Sequence, residues 1–179
     1  METFLIFCAN YLFILVLIFA SLYFVRLPLD LQIKMLVLGT TAAIISYGVA
    51  CVAGWIYFDP RPFVEGHFKP LIPHDAENGF PSDHVLLVSC VASVISVFNF
   101  RFSLVLWVLT FLVGYARVYV GVHHFQDIFA SMTIAGVVVI VLTRFMHARP
   151  VQLAESKLET RLKKAMAKMR PEARGQRGR

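Results

Sequence analysis

Five stretches of this chain run without a charged residue. Phe4–Val25 has 22 residues and Met35–Phe58 has 24. At ~1.5 Å of rise per residue, each outreaches a hydrocarbon core of ~30 Å. Val85–Phe100, Phe102–Ala116 and Ile128–Thr143 have 16, 15 and 16 residues, short of the usual span of about 20. Three features still favour spans over the buried helices of a water-soluble globule. The fourth run stays mostly apolar past Arg117 as far as Val122. Arg101 and Arg144 can snorkel from helix ends. No amphipathic helix is available to cover a soluble core. The pattern therefore predicts an all-α bundle of five transmembrane helices, at about 4–25, 35–58, 84–100, 102–122 and 127–146, forming one membrane domain over 1–146. The first run has no positive n-region and exceeds the apolar core of a secretory leader, so a permanent helix is expected there.

The connections differ in kind. Arg26–Lys34 and the break near Asn99–Arg101 are short. Residues 59–83 form a long loop with Pro60, Pro62, Pro70, Pro73 and Pro81, which argues against a continuous helix. A loop of that length in a small bundle is usually functional. Composition agrees with a membrane protein: 58% of residues are apolar and 16% charged, with a mean hydropathy of +0.70, whereas a soluble domain carries about 25% charged residues. The same figures exclude a disordered chain, a disulfide scaffold and a collagen-like repeat. Cys8, Cys51 and Cys90 lie in apolar runs without metal or redox spacing, and are expected to be buried as small apolar residues.

The net charge of +6 is unevenly placed. Residues 147–179 carry ten Lys/Arg against three Glu, while residues 1–146 carry seven against eight acidic residues. The basic balance thus belongs to the tail and is no sign of a nucleic-acid surface. Five spans put the two chain ends on opposite faces. The 59–83 loop and the Arg117–Asp127 turn share one face, with only Arg61, Lys69 and Arg117 as positive residues. The other face has Arg26, Lys34, Arg101, Arg144 and the tail. Positive residues stay cytoplasmic, so the long loop is expected outside and the tail, residues 147–179, inside. In that tail Leu158, Leu162, Met166 and Met169 mark one stripe of a partly amphipathic helix, suited to an anionic inner leaflet.

The outer face gathers Arg61, His67, Lys69, His74, Ser82, Asp83, His84, Arg117, His123, His124 and Asp127. Polar groups at the ends of membrane helices are costly and tend to be functional. Arginine matches phosphate oxygens bidentately. Histidine attacks as a nucleophile or shuttles a proton near neutral pH. Together they point to phosphoryl chemistry. Asp127 stands four residues after His123, on one helix face, where a carboxylate on one ring nitrogen leaves the other free to attack. A zinc site built from His84, His123 and Asp127 is the weaker alternative, because two nearby arginines repel a cation.

The order Arg61-Pro62, Pro81-Ser82-Asp83-His84 and Arg117-x5-His123-x3-Asp127 resembles the type-2 phosphatidic acid phosphatase superfamily. Its pattern has a Lys seven positions before the Arg of Arg-Pro, then Pro-Ser-Gly-His, then Ser-Arg-x5-His-x3-Asp. Here Gly54 stands at the Lys position, Asp83 at the Gly and Ala116 at the Ser. The stretch Arg61-Pro-Phe-Val, Leu71-Ile-Pro-His74 and Phe80-Pro-Ser-Asp-His84 is further similar to the bacitracin-resistance type of undecaprenyl-diphosphate phosphatase.

The resemblance implies an outward-facing hydrolase of the bacterial inner membrane, free of metals and cofactors, acting on a polyprenyl diphosphate. It would release phosphate from undecaprenyl diphosphate and so recycle the cell-wall carrier lipid. His123 would be the nucleophile, Asp127 would orient it, and His84 would be the general acid and base. Arg61, Ser82, Asp83 and Arg117 would bind phosphate. Ser82 and Asp83 also suit an N-cap for the third span. Lys69 is expected to make good the lysine missing at Gly54. His67 and His74 are weaker candidates, and His124 is expected to be a wall residue. The alternatives are a phosphatase of phosphatidylglycerol phosphate, phosphatidic acid or lipid A, and a lipid-phosphate binding or transport protein without catalysis.

Overall fold

The computed structural model describes residues 1–146. The basic tail expected over 147–179 lies outside the described residues. One compact unit covers Met1–Leu142. The described residues form the helices α1 (Glu2–Phe24), α2 (Leu29–Ile56), α3 (Pro62–Glu65), α4 (Asp83–Phe98), α5 (Phe100–Tyr119) and α6 (Phe125–Met146). No strand forms among them; a single bridge pairs Pro60 with Asn78. Four helices are long and apolar enough to cross a membrane, and α4 is a shorter apolar helix of 16 residues.

The long helices stand where the apolar runs predict them, with shifted ends. α2 begins at Leu29 rather than Met35, after an extended Pro28. Asp30 and Lys34 interrupt the apolar run but not the helix, because both are exposed at its start. At the other end Tyr57 is extended and stops the helix at Ile56. Apolar side chains cover the outside of the bundle as well as its inside: Ile44 and Val108 are 68% and 67% exposed. Small polar residues lie within instead, with Ser46, Ser89, Ser103, Thr110 and Ser131 all buried. Polar atoms inside and hydrocarbon outside is the arrangement that a lipid solvent favours. Cys8 and Cys90 are buried as expected, but Cys51 is exposed on the outer face of α2.

The first residues of α1, the end of α2, the start of α4, the end of α5 and the start of α6 meet on one side of the bundle. Arg117 near the end of α5 reaches the carbonyl of Ala9 on α1 at 3.5 Å. His84 at the start of α4 meets the ring of Phe13 on α1 edge-on, with centroids 4.7 Å apart. Ser131 on α6 donates to the carbonyl of Ser82 at 2.9 Å. Ala9 lies seven residues along α1, so this junction is sunk about 10 Å below that helix's first turn. The short α4 starts at that depth.

The α5–α6 turn has a local cause. The N–H of Gly121 donates to Val118 at 3.0 Å, and that of Val122 to Arg117 at 3.3 Å. These are the two bonds of a Schellman motif, which needs a left-handed residue between them. Gly121 supplies it with φ +82°. The ring of Phe68 also packs where a side chain at 121 would begin, 2.6 Å from an ideal Cβ. Replacing Gly121 with Ala should lower stability in detergent by about 1–2 kcal/mol from the left-handed backbone alone. Thermal unfolding of the purified protein checks this, and an unshifted midpoint would contradict it.

Candidate active site

His123 follows the Schellman turn directly and is 3% exposed. Its Nδ1 lies 3.0 Å from the carbonyl of Gly79 and 3.2 Å from Asp127 Oδ2. Both partners accept, so Nδ1 carries the ring proton and Nε2 keeps its lone pair. Nε2 faces the Arg61 guanidinium, with Nη1 at 3.4 Å. Burial, together with the positive charges of Arg117 and Arg61, holds His123 well below the ordinary histidine pKa. The imidazole is therefore neutral, with its free nitrogen toward the cations.

Arg61 closes α3's N-terminus and is buried. Its Nη1 donates to the carbonyl of Val122 at 2.9 Å, and Nη2 reaches that of Asn78 at 3.4 Å. Arg117 is buried too and lies closer to α1: Nη1 reaches Ala9, and Nη2 donates to His74 Nε2 at 3.0 Å. Among the described residues neither guanidinium forms an ion pair with a carboxylate. Arg61 Nε, Arg117 Nε and Ser82 Oγ are fully buried donors without a hydrogen-bond partner in the protein. Buried donors and charges are normally compensated. A tetrahedral oxyanion would compensate all three at once.

His84 is half-buried at the start of α4. It lies within electrostatic range of Arg117 and His74, and His123 lies within range of the same two residues. His74 approaches His123 ring to ring, with centroids 6.3 Å apart. The structure thus brings together Arg61, Ser82, His84, Arg117, His123 and Asp127. Lys69 makes no contact with them, and Asp83 reaches Arg61 and Arg117 only through its charge. Both side chains are exposed, and neither makes a hydrogen bond or ion pair among the described residues. His67 is exposed as well, with φ 51°. It takes the left-handed position that ends α3, where Phe68 N donates to Phe63 at 3.2 Å.

The absent lysine has a structural counterpart. An ideal Cβ at Gly54 would lie 2.7 Å from the carbonyl oxygen of Phe80. That place is closed by the loop, and Asn78 closes it. Asn78 Nδ2 donates to the carbonyls of Gly54 and Tyr57 at 2.8 and 3.1 Å. Its Oδ1 accepts from the N–H groups of Asp59 and Phe80 at 2.9 and 3.0 Å. Phe80–Pro81 is a cis peptide.

Behind His123 a second cluster supports Asp127. Asp59 Oδ2 accepts from His124 Nδ1 at 2.9 Å and from Gln126 Nε2 at 2.7 Å. Burial pushes the Asp59 carboxyl up, but these hydrogen bonds outweigh it and hold the group below its ordinary value. Asp59, His124 and Asp127 offer ligand atoms within 4.8 Å of one another. A cation held there would compete with His123 for Asp127 and would use neither His84 nor His123. Asp59, Asn78 and Gln126 escaped the sequence reading, and His124 is more than wall. Asp59 lies two residues before Arg61; nothing in the pattern marks Asn78.

One helical turn beyond His84 an apolar cavity of about 350 Å³ lies between α1, α2 and α4, lined by none of the site residues. On α4 it is lined by Leu87, Val91 and Val94, three, seven and ten residues beyond His84 on the same face. On α1 it is lined by Leu17, Ala20 and Phe24, which continue the face of Phe13.

A model of the PAP2 superfamily matches residues 34–150. The chain belongs to the PAP2 superfamily. It is 32% identical over 107 residues to the undecaprenyl-diphosphatase BcrC of Bacillus subtilis (strain 168), covering 60% of this chain and 53% of that protein. It is 28% identical over 132 residues to phosphatidylglycerophosphatase B of the same organism, covering 68% and 60%. The chain thus spans little more than half the length of these relatives. The crystal structure of Aquifex aeolicus LpxE shares the fold, with a TM-score of 0.60 and 23% identity over 80% of this chain and 85% of that one. The helices and this PAP2 fold make the chain a multi-pass bacterial membrane protein.

Lysine at position 54 should not restore a family-like cation, because its Cβ meets the Phe80 carbonyl. Gly54→Lys is expected to lose stability and to bind orthophosphate no better than the parent protein. Thermal unfolding with and without phosphate tests both, and tighter phosphate binding by the variant would refute the reading.

Proposed function

We propose that this PAP2 protein is a lipid phosphatase that hydrolyses undecaprenyl diphosphate to undecaprenyl phosphate and orthophosphate. The carrying observation is the pair of buried, unpaired guanidinium groups around a neutral His123 whose Nδ1 is committed to Asp127. The relatives named undecaprenyl-diphosphatase support the choice of lipid. The relative named phosphatidylglycerophosphatase B makes a lipid monophosphate the competing substrate.

The reaction proceeds in two displacements. His123 Nε2 attacks the terminal phosphorus, and the bond from that phosphorus to the bridging oxygen breaks. His84 gives its proton to the departing lipid phosphate. Arg61 and Arg117 neutralise the charge on the transferring oxygens, and the Ser82 hydroxyl donates to one of them. Water then attacks the phosphohistidine, His84 takes its proton, and orthophosphate leaves. Asp127 keeps the proton on Nδ1 throughout, so that the attacking nitrogen is the free one. The hydrocarbon chain of the substrate lies in the cavity beyond His84, where Leu87 and Leu17 begin an apolar path. No step calls for a metal. The site faces outward, by the distribution of Lys and Arg between the two faces, and the lipid is emptied on that side.

Purified protein with excess chelator should release phosphate from undecaprenyl diphosphate in preference to phosphatidylglycerol phosphate and phosphatidic acid. His123→Ala should abolish turnover, and His84→Ala should slow it by roughly 10²–10⁴-fold, as removal of a general acid does. Preference for a monophosphate would shift the substrate to the competing lipid. No release from any of the three lipids, or release that stops with chelator, would overturn the corresponding part of the reading.

The depressed pKa of His123 gives a pH signature. A histidine of ordinary pKa, about 6.5, would lose about tenfold of its neutral form between pH 7.5 and 5.5. His123 lies well below that value and stays neutral over the whole range. Phosphohistidine formation, followed by rapid quench, should therefore show no acid limb near pH 6.5. A tenfold fall across that interval would show that the nucleophile titrates normally.

A further inference from the structure

The two arginines do not occupy equivalent places. Arg61 stands against the nucleophile, with Nη1 at 3.4 Å from His123 Nε2. Arg117 makes no hydrogen bond to His123. It points toward α1 and binds His74 instead. His84 lies within electrostatic range of Arg117 and His74, and the apolar cavity begins one turn beyond His84. The hydrogen bonds part the two arginines: Arg61 contacts His123, while Arg117 contacts His74 and α1, the helix whose Phe13 meets His84. The two guanidinium groups thus present two cationic stations, one at each histidine.

A diphosphate has two phosphates to match them. Its terminal phosphorus faces His123. Its lipid-bearing phosphate falls to the other station. We propose that His74, together with the Nη2 group of Arg117, binds the lipid-bearing phosphate while Arg117 Nε serves the terminal one, and that this histidine sets the preference for diphosphates over monophosphates. The proposal rests on the phosphatase reading above and specifies the substrate class of the same site.

The chemistry of His74 suits the task. Its Nε2 accepts from Arg117, so the ring without substrate is neutral and carries its proton on Nδ1. That N–H has only a long contact of 3.4 Å with the carbonyl of Asp75, so it is poorly held. Burial and the charges of Arg61 and Arg117 keep His74 below its ordinary pKa. The charged or titratable groups facing it are Arg61, Arg117, His84 and His123 from other elements, and Asp75 beside it. A diphosphate cancels the two guanidinium charges and replaces His74 as the acceptor for Arg117. The ring can then take a proton from solvent and donate to the inner phosphate. A monophosphate at His123 leaves the Arg117–His74 contact in place. This assigns to His74 the cationic part that a lysine at 54 has no room to play.

The test compares farnesyl diphosphate with farnesyl monophosphate, which share one tail, on the full chain in detergent. Mutating His74→Gln should lower the ratio of kcat/KM for diphosphate over monophosphate by about tenfold or more, the effect of one charge-assisted hydrogen bond, mainly through KM. His74→Lys should restore most of the ratio. An unchanged ratio in His74→Gln, or equal loss on both substrates, would overturn the proposal. A parallel measurement needs no turnover. Inorganic diphosphate should stabilise the parent protein more than orthophosphate does, and His74→Gln should erase that difference while His74→Lys keeps it. If the parent protein hydrolyses neither lipid, the phosphatase reading fails, and this binding comparison still decides the role of His74. A variant that retains the full diphosphate preference refutes it.

Discussion

Two guanidinium groups held out of water without a carboxylate partner are the constraint to which the rest of this bundle is fitted. Taking a charge into a low-dielectric interior costs several kcal/mol, even after relaxation. Backbone carbonyls of Val122, Asn78 and Ala9 offset part of that cost. The carbonyls of Val122 and Asn78 lie in loops outside any helix ladder, whereas Ala9 is inside α1 and gives only a long contact of 3.5 Å. Both arginines accordingly sit at helix ends, Arg61 before α3 and Arg117 in the last turn of α5. The remaining donors need an anion. A site of this kind must lie deep enough to exclude competing water and shallow enough to use helix ends. The length of α4 answers both demands: 16 residues cover ~24 Å, and the turn it lacks is where the phosphate chemistry is placed.

The 59–82 segment is the wall of that site and not a strap over it. A single amide, Asn78, joins four backbone groups from the end of α2 to Phe80. The carbonyl of Gly79 then falls on His123 Nδ1, and that of Asn78 on Arg61. The same connection closes the space beside Gly54. Loop conformation and lysine position are therefore alternatives: a side chain at 54 and a Phe80 carbonyl in its present place exclude each other. In the site as proposed, the loop supplies the cationic group instead, and His74 does so without a permanently buried third charge.

The helices were legible because a membrane removes ambiguity. An uncharged run long enough to cross has one economical conformation, and all five runs became helices. Their ends were less legible, since charge marks where an apolar run stops and not where a helix stops. Lys34 shows this inside α2, and only the cap geometry at Pro28 places the true start. For the site, spacing was informative where the partners share one helix or turn, as with Arg117, His123 and Asp127. It failed for Asp59, Asn78 and His74. Their positions depend on how a proline-rich loop folds back on α2 and α5, as when Leu71 N donates to Val120 at 3.1 Å. Lys69 is the converse case. Charge arithmetic over the loop pointed to the only lysine in it, while folding leaves that lysine exposed.

His123 lies between two halves of opposite polarity, and this division accounts for its chemistry better than any one contact. On the Nδ1 side are acceptors: the Gly79 carbonyl and Asp127, the latter also accepting from His124 N at 2.8 Å. Asp59 and Asp127 bring carboxylate oxygens within 4.8 Å of each other, and adjacent carboxylates are eased by hydrogen-bond donors around them. His124 supplies donors to both, its backbone N–H to Asp127 and its Nδ1 to Asp59 at 2.9 Å. On the Nε2 side stand Arg61 and, beyond it, Arg117. Acceptors on one edge and cations on the other draw the ring proton to Nδ1 and keep any second proton off Nε2. The proposed nucleophile is thereby neutral and oriented, with only a long contact of 3.4 Å from Arg61 on its Nε2. That outcome requires both halves. Without the acidic cluster the tautomer is free to change, and without the guanidiniums the buried lone pair has no anion to meet.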